Sequence, residues 1–201
     1  YLGLLRTPAD FDNTGYIGDY YLSSSSSPIQ GRHRSYRNPT GGRVNAGFNN
    51  PNWTINNQEN KNSVERFLTN IQFDLNITDW LNIISRTGID YYQSRTVQYY
   101  KPGTVGSTFG QGYFTDGIAN NRVFNTDIIA RSNFEIGDDI DLSVTLGANL
   151  NDRKYLRLGG DIRDFILPID LQDFSNAQPE NTNVDDFDRQ MRTAATYFSG
   201  N

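Results

Sequence analysis

VERFLTNIQFDLNITDWLNIISRTGIDYY, residues 64–92, alternates twice. In its first half Phe67, Thr69, Ile71, Phe73, Leu75 and Ile77 occupy every second position. Arg66, Asn70, Gln72, Asp74 and Asn76 lie between them, with Leu68 the exception. Side chains of an extended chain point alternately to opposite faces, so a period of two marks a strand with one apolar and one wet face. After a turn at Thr78-Asp79 the pattern resumes. Leu81, Ile83, Ser85, Thr87, Ile89 and Tyr91 stand against Asn82, Ile84, Arg86, Gly88, Asp90 and Tyr92.

The same period returns further along. In RVFNTDIIARSNFEI (122–136), Phe124, Thr126, Ile128, Ala130, Ser132, Phe134 and Ile136 share a face against Asn125, Asp127, Arg131, Asn133 and Glu135. Gly137-Asp138-Asp139 then makes a tight turn. In IDLSVTLGANLN (140–151) the alternation is complete, and a fifth strand is expected in DRQMRTAATYFSG (188–200). Residues 1–63 carry no sustained period. They hold a serine run at 23–27, then Pro28, Pro39, Gly41, Gly42 and Pro51 among many asparagines, and read as a long loop region. Strands and their connections fill 64–201, with long loops near 101–121 and 157–187.

Short turns at 77–79 and 137–139 thus alternate with long loops, so the short ones gather at one end of the strands and the long ones at the other. A soluble sandwich has no reason to sort its loops by length. An outer-membrane barrel has short periplasmic turns and long external loops. The wet face carries Arg, Asp, Glu, Asn and Gln, as a water-filled lumen allows, and the other face is almost free of charge, as lipid demands. About 13 residues at roughly 3.3 Å each, tilted by about 40°, cover about 33 Å, more than an apolar band of about 25 Å. Trp80 at a turn and Tyr91, Tyr92, Tyr99 and Tyr100 near a loop stand where interfacial aromatic girdles are expected. The fold class expected is all-β: an antiparallel transmembrane barrel segment of about five strands. Five strands cannot close in lipid, and the chain opens YLGLLRTPAD with neither an initiator Met nor a signal peptide, so a piece of a longer barrel is expected.

Composition bounds the rest. The net charge of -5 leaves no basic footprint for nucleic acid, and the absence of Cys excludes disulfides and thiolate metal sites. No apolar run reaches the roughly 20 residues of a membrane-spanning helix, which says nothing against strands.

The stretch from Phe48 to Tyr92 resembles the mid-barrel region of the SusC/RagA-type TonB-dependent transporters of the Bacteroidetes. Asn50-Pro51-Asn52-Trp53 matches that family's NPxW element, Thr78-Asp79-Trp80-Leu81 its turn, and Gly88-Ile89-Asp90-Tyr91-Tyr92 the end of the returning strand. LLRTPADFDN (4–13) and RSYRNP (34–39) look like the external loop before these strands, and Phe174-Ser175-Asn176-Ala177 adds a shorter match. The resemblance covers about half the chain, residues 1–100. It implies a barrel of about 22 strands in the bacterial outer membrane that imports oligosaccharides or oligopeptides. Such a barrel is energised through TonB by an N-terminal part outside this sequence, and works with a SusD-like surface lipoprotein.

Several residues are candidates for sites. Trp53, Tyr36 and Phe48 lie in a polar loop, where aromatics either stack on a glycan or peptide or pack the loop and a partner lipoprotein. Arg32-His33-Arg34 with Arg37 is either a solvated loop or a contact for anionic lipopolysaccharide or an acidic solute. Arg86, Asp90, Arg131, Glu135 and Asp141 face the lumen, where they either line the solute path or pair across strands and with a plug. Asp185, Asp186 and Asp188, with Asn181 and Asn183, offer oxygens for Ca²⁺ in a loop, though without a known calcium-loop spacing; no cofactor is expected. His33 has no nucleophile to serve, no phosphate-cradling motif occurs, and an enzyme is not expected. The competing functions are a soluble or surface carbohydrate-binding β module, and a barrel adhesin or secretion scaffold without import.

Overall fold

Five long strands follow one another in a single antiparallel sheet of order β1-β2-β3-β4-β5: β1 Gln58–Thr78, β2 Leu81–Tyr100, β3 Tyr113–Ile136, β4 Ile140–Arg163 and β5 Thr182–Gly200. Among the described residues two short helices precede them, α1 Leu2–Leu5 and α2 Pro51–Asn57, and two 3-10 turns, Phe174–Asn176 and Pro179–Asn181, lie between β4 and β5. The computed structural model describes residues 2–17, 33–40, 47–106, 111–137, 140–167 and 170–201. The serine run, Pro28, Arg32, Gly41, Gly42 and Asp138-Asp139 lie outside them.

The strands run further than alternation suggests. The loops expected at 101–121 and 157–187 contract to 101–112 and 164–181. Glycines hide the extra pairing. A Cβ built on Gly159 would stand 2.9 Å from the Gly117 Cα, so β3 and β4 approach too closely there for side chains, and the ladder continues through a stretch without apolar alternation. The sheet is not closed: β1 and β5 are its edges.

The chain forms two compact units, and every strand contributes to both. One comprises Tyr1–Ser63, Arg95–Ile118 and Leu158–Asp185. Its core is Tyr99, Phe114, Ile162, Phe165 and Ala177, with Val97 packed against it. Tyr99 stacks on Phe165 at 6.0 Å and Phe114 meets Phe174 at 5.3 Å, so the 164–181 connection folds down onto its strands. Asn176 holds that fold. Its side chain accepts from the Leu167 N–H at 2.9 Å and donates to the Leu167 carbonyl at 3.1 Å, as a paired strand would. Gly112, at φ +100°, lets the chain pass the Phe165 ring, which a Cβ would meet at 2.3 Å.

The second unit comprises Val64–Ser94, Ala119–Arg157 and Asp186–Asn201. Here the strands have almost no core: among the described residues only Ile84 and Ile129 are buried. The apolar face lies open, with Phe73 62% exposed, Leu146 54% and Phe198 69%.

Candidate functional site

In the loop unit, the NPNW segment is a cap followed by a buried anchor. Asn50 ends the extended chain, and its side-chain oxygen accepts from the Asn52 N–H at 2.8 Å; Pro51 opens α2. Trp53 is fully buried. His33 stacks on it at 4.5 Å, Tyr16 meets it edge-on at 6.4 Å, and its indole N–H donates to Thr104 Oγ at 3.0 Å. His33, also fully buried, lies 3.0 Å by Nδ1 from the Gly103 carbonyl and accepts from the Asn50 N–H at Nε2, 2.9 Å away. A carbonyl only accepts and a backbone N–H only donates, so the proton sits on Nδ1 and the imidazole is neutral. Four segments, around residues 16, 33, 50 and 103, are thereby tied together.

The other loop candidates divide. Phe48 is buried with the Arg37 guanidinium 5.6 Å above its ring. Arg34 lies over Phe11 at 4.5 Å and donates to the Asp12 carbonyl at 2.6 Å. Asp12 receives both the hydroxyl and the N–H of Thr14, which hold its carboxyl below the usual carboxylate range. Tyr36, edge-on to Phe11 at 5.7 Å, is 45% exposed, so it alone of the three loop aromatics presents a ring to solvent. His33 contributes no surface charge, so the expected basic run is reduced to its arginines, of which Arg32 lies outside the described residues.

In the second unit, Arg86, Asp90, Arg131, Glu135 and Asp141 lie on β2, β3 and β4 at positions that alternation assigns to the wet face. They do not form one cluster. Asp90 is gripped by Arg66 of β1 through two bonds, Nε–Oδ1 at 2.9 Å and NH2–Oδ2 at 2.8 Å. Arg86 and Arg131 are exposed and make no ion pair among the described residues. An amide ladder, missed from the sequence, fills the space between strands. Asn149 donates to Asp127 at 2.7 Å and to Asn125 at 3.1 Å, Asn151 to Asn125 at 3.1 Å, and Asn82 to Asn76 at 2.8 Å. Asn on alternate positions of neighbouring strands was its signal. One apolar pair interrupts this face. In the register that pairs Thr87 with Thr126 at 2.8 Å, Ile84 stands opposite Ile129, and both are buried.

The opposite face is apolar along β1 to β5, ending at the short turns with Trp80 stacked on Phe134 at 5.2 Å. At its other end Tyr91 points its hydroxyl to Gln93 at 3.0 Å. The expected girdle is narrower than five aromatics. Tyr92 and Tyr100 fall on the wet face by alternation, and Tyr99 is buried in the core of the other unit.

Asp185, Asp186 and Asp188 lie on β5, not in a loop, so neighbours point to opposite faces. Asp188 pairs with Lys154 at 3.2 Å and Asn183 donates to Asp161 at 3.1 Å. Among the described residues no group of three metal-binding side chains converges.

No family model and no curated protein matches the sequence. Solved structures do match the fold. A chain of the RagAB peptide transporter agrees with TM-score 0.63 at 15% identity, over 79% of this chain and 18% of that one. The RagAB peptide importer in its open-open state gives 0.60 at 15% identity, over 92% of this chain and 21% of that one. Its closed-closed state gives 0.64 at 16%, over 92% and 22%. The likeness is one of fold, and this chain spans about a fifth of the length of those chains.

Proposed function

We propose that these residues are a stretch of an outer-membrane β-barrel, in a TonB-energised importer of oligopeptides or oligosaccharides that works with a SusD-like surface lipoprotein. The observation that carries this reading is the sorting of the two sheet faces. One is apolar from β1 to β5 and open, and the other carries exposed arginines, carboxylates and an amide ladder. Lipid suits the first and a wet lumen the second. Unpaired backbone groups cannot stand at a strand edge in lipid, so β1 and β5 need further strands beside them. The fold neighbours are named for peptide transport, which supports the peptide branch. On this reading the chain does no covalent chemistry; its inward residues select and pass a solute.

Extraction of the native polypeptide with and without detergent, followed by intact mass measurement, tests it. A species several times the 22.8 kDa of this sequence, soluble only in detergent and accompanied by a lipoprotein, is expected. A detergent-free protein of 22.8 kDa would overturn the barrel and leave a soluble binding module.

A further inference from the structure

The apolar face of β3, β4 and β5 gives way to charge within one outward step. On β3 the series is broken after Phe124 by Arg122; on β4 it is broken after Leu150 by Asp152 and Lys154; on β5 Ala194 is followed by Arg192, Gln190 and Asp188, and apolar side chains return only beyond this band, at Ile118, Leu156, Leu158 and Val184. These side chains are joined across strands. Asp152 accepts from Gln190 with both oxygens at 3.0 Å and from Arg192 at 2.9 Å, and Lys154 meets Asp188 at 3.2 Å.

One juxtaposition in this band is unfavourable as it stands. Asn125 bonds Asn151 and Gly117 faces Gly159, which fixes the β3–β4 register on both sides of the band. Between those pairs Arg122 falls directly opposite Lys154. Like charges opposite each other on one face of an antiparallel pair repel, and repulsion is screened less beside an apolar surface than in bulk water. Arg122 is exposed and makes no hydrogen bond or ion pair among the described residues. Asp152 lies within its electrostatic reach but is already bonded by Gln190 and Arg192. The band thus sets the cations Arg122, Lys154 and Arg192 against the carboxylates Asp152 and Asp188, with Asp186 one outward step beyond.

The geometry points to a phosphate seat: Arg122 and Lys154 together hold the phosphate of a membrane-lipid headgroup where the apolar face meets water. An anion between the two cations turns their repulsion into two charge-assisted contacts. The lipid is favoured over free phosphate because its acyl chains cover the adjoining Phe124, Ile128, Leu146 and Leu150 in the same binding event. This rests on the barrel reading given above.

The test uses the whole chain purified in detergent, wild type and Arg122→Gln/Lys154→Gln, titrated with diphosphoryl lipid A, with the dephosphorylated lipid and with inorganic phosphate, following the thermal midpoint. Wild type should prefer the phosphorylated lipid about tenfold, and the double variant should lose that preference. Arg122→Lys, which keeps the charge, should retain most of it and controls for folding. Equal binding of the two lipids, a preference that survives the double variant, or an equal response to inorganic phosphate alone would each overturn the seat. A nitroxide on Leu146→Cys reports the barrel reading separately. Access to lipid-soluble oxygen upholds that reading whatever the titration gives, and access only to a water-soluble quencher overturns it and the seat together.

Discussion

Replacing Trp53 separates a packing anchor from a ligand platform. The indole is fully buried, with His33 4.5 Å away and nearly parallel to it and Tyr16 at its edge. Trp53→Ala should therefore cost the loop unit about 3–5 kcal/mol. Trp53→Phe keeps a ring against His33 but removes the donor to Thr104 Oγ, an oxygen that itself donates to the Lys101 carbonyl at 2.7 Å. That change should cost about 1–2 kcal/mol. Thr104→Val removes the other half of the bond, so the double variant should fall short of the sum by about 1 kcal/mol. Hydrogen exchange reads this locally, at the N–H groups of Thr54, Lys101 and Thr104, which donate to Asn50, Asn57 and Lys101. Trp53→Ala should speed their exchange by about two orders of magnitude. The emission lost on Trp53→Phe should lie at short wavelength and resist acrylamide. If it is quenched as freely as an exposed indole, or if Trp53→Ala leaves exchange unchanged, the anchor reasoning fails and the ring is available to a solute.

Four further outcomes are expected. In a barrel refolded into lipid, Leu146→Arg should cost about 2–4 kcal/mol while Thr145→Arg, one residue away on the wet face, costs little; equal penalties would contradict the assignment of faces. Gly147→Ala should destabilise by about 1–3 kcal/mol because the Tyr197 ring lies where the new methyl would stand, 2.0 Å from its nearest atom, and Tyr197→Ala should remove most of that penalty in a urea titration. The Arg66–Asp90 pair is half exposed, at 56% and 32%, so a double-mutant cycle should return no more than about 1 kcal/mol, falling as salt is added. Asp173 caps the Phe174–Asn176 turn, and the Ser175 hydroxyl and N–H hold its carboxyl below the usual carboxylate range. That contribution is present above the ordinary carboxylate value and is lost as pH falls through the depressed one, so the protection factor at Ser175, taken against the intrinsic exchange rate at each pH, should fall in acid and stay constant in Asp173→Asn.

Alternation along a strand assigns a side chain to a face, and for residues 64–92 and 122–151 that assignment is legible from sequence alone. Register is not, because it depends on how two distant segments align. Thus Asp90 could be put on the wet face, but its grip by Arg66 and the Arg122–Lys154 confrontation required the pairing. For the loop aromatics alternation offers no guide. Trp53 and His33 sit in a segment without periodicity, and what makes them core residues is the arrival of Gly103 and Thr104 from 70 and 51 residues away. NPNW lies in a stretch read as loop, yet its Asn and Pro carry the local signal for the helix start that α2 uses. Its tryptophan announced only an anchor, without saying for what.

Magnitudes decide which feature of the strands matters most. Each exposed cross-strand ion pair is worth at most about 1 kcal/mol, and those on the wet face and in the charged band are of that kind. Each large apolar side chain removed from water contributes about 1.5–3 kcal/mol, and Phe67, Ile71, Phe73, Leu75, Ile77, Ile128, Leu146, Leu150 and Phe198 all stand open. Together they outweigh the ion pairs by about an order of magnitude. Charges therefore set where along the strands the apolar face must stop, but transfer of that face into lipid sets whether the strands are held there at all. It follows that salt should shift the stability of the embedded sheet little, whereas thinning the apolar phase should expose the outermost rows, Phe124 and Leu150, and weaken it sharply. A sheet whose stability followed salt and ignored lipid thickness would have its apolar face packed on protein instead.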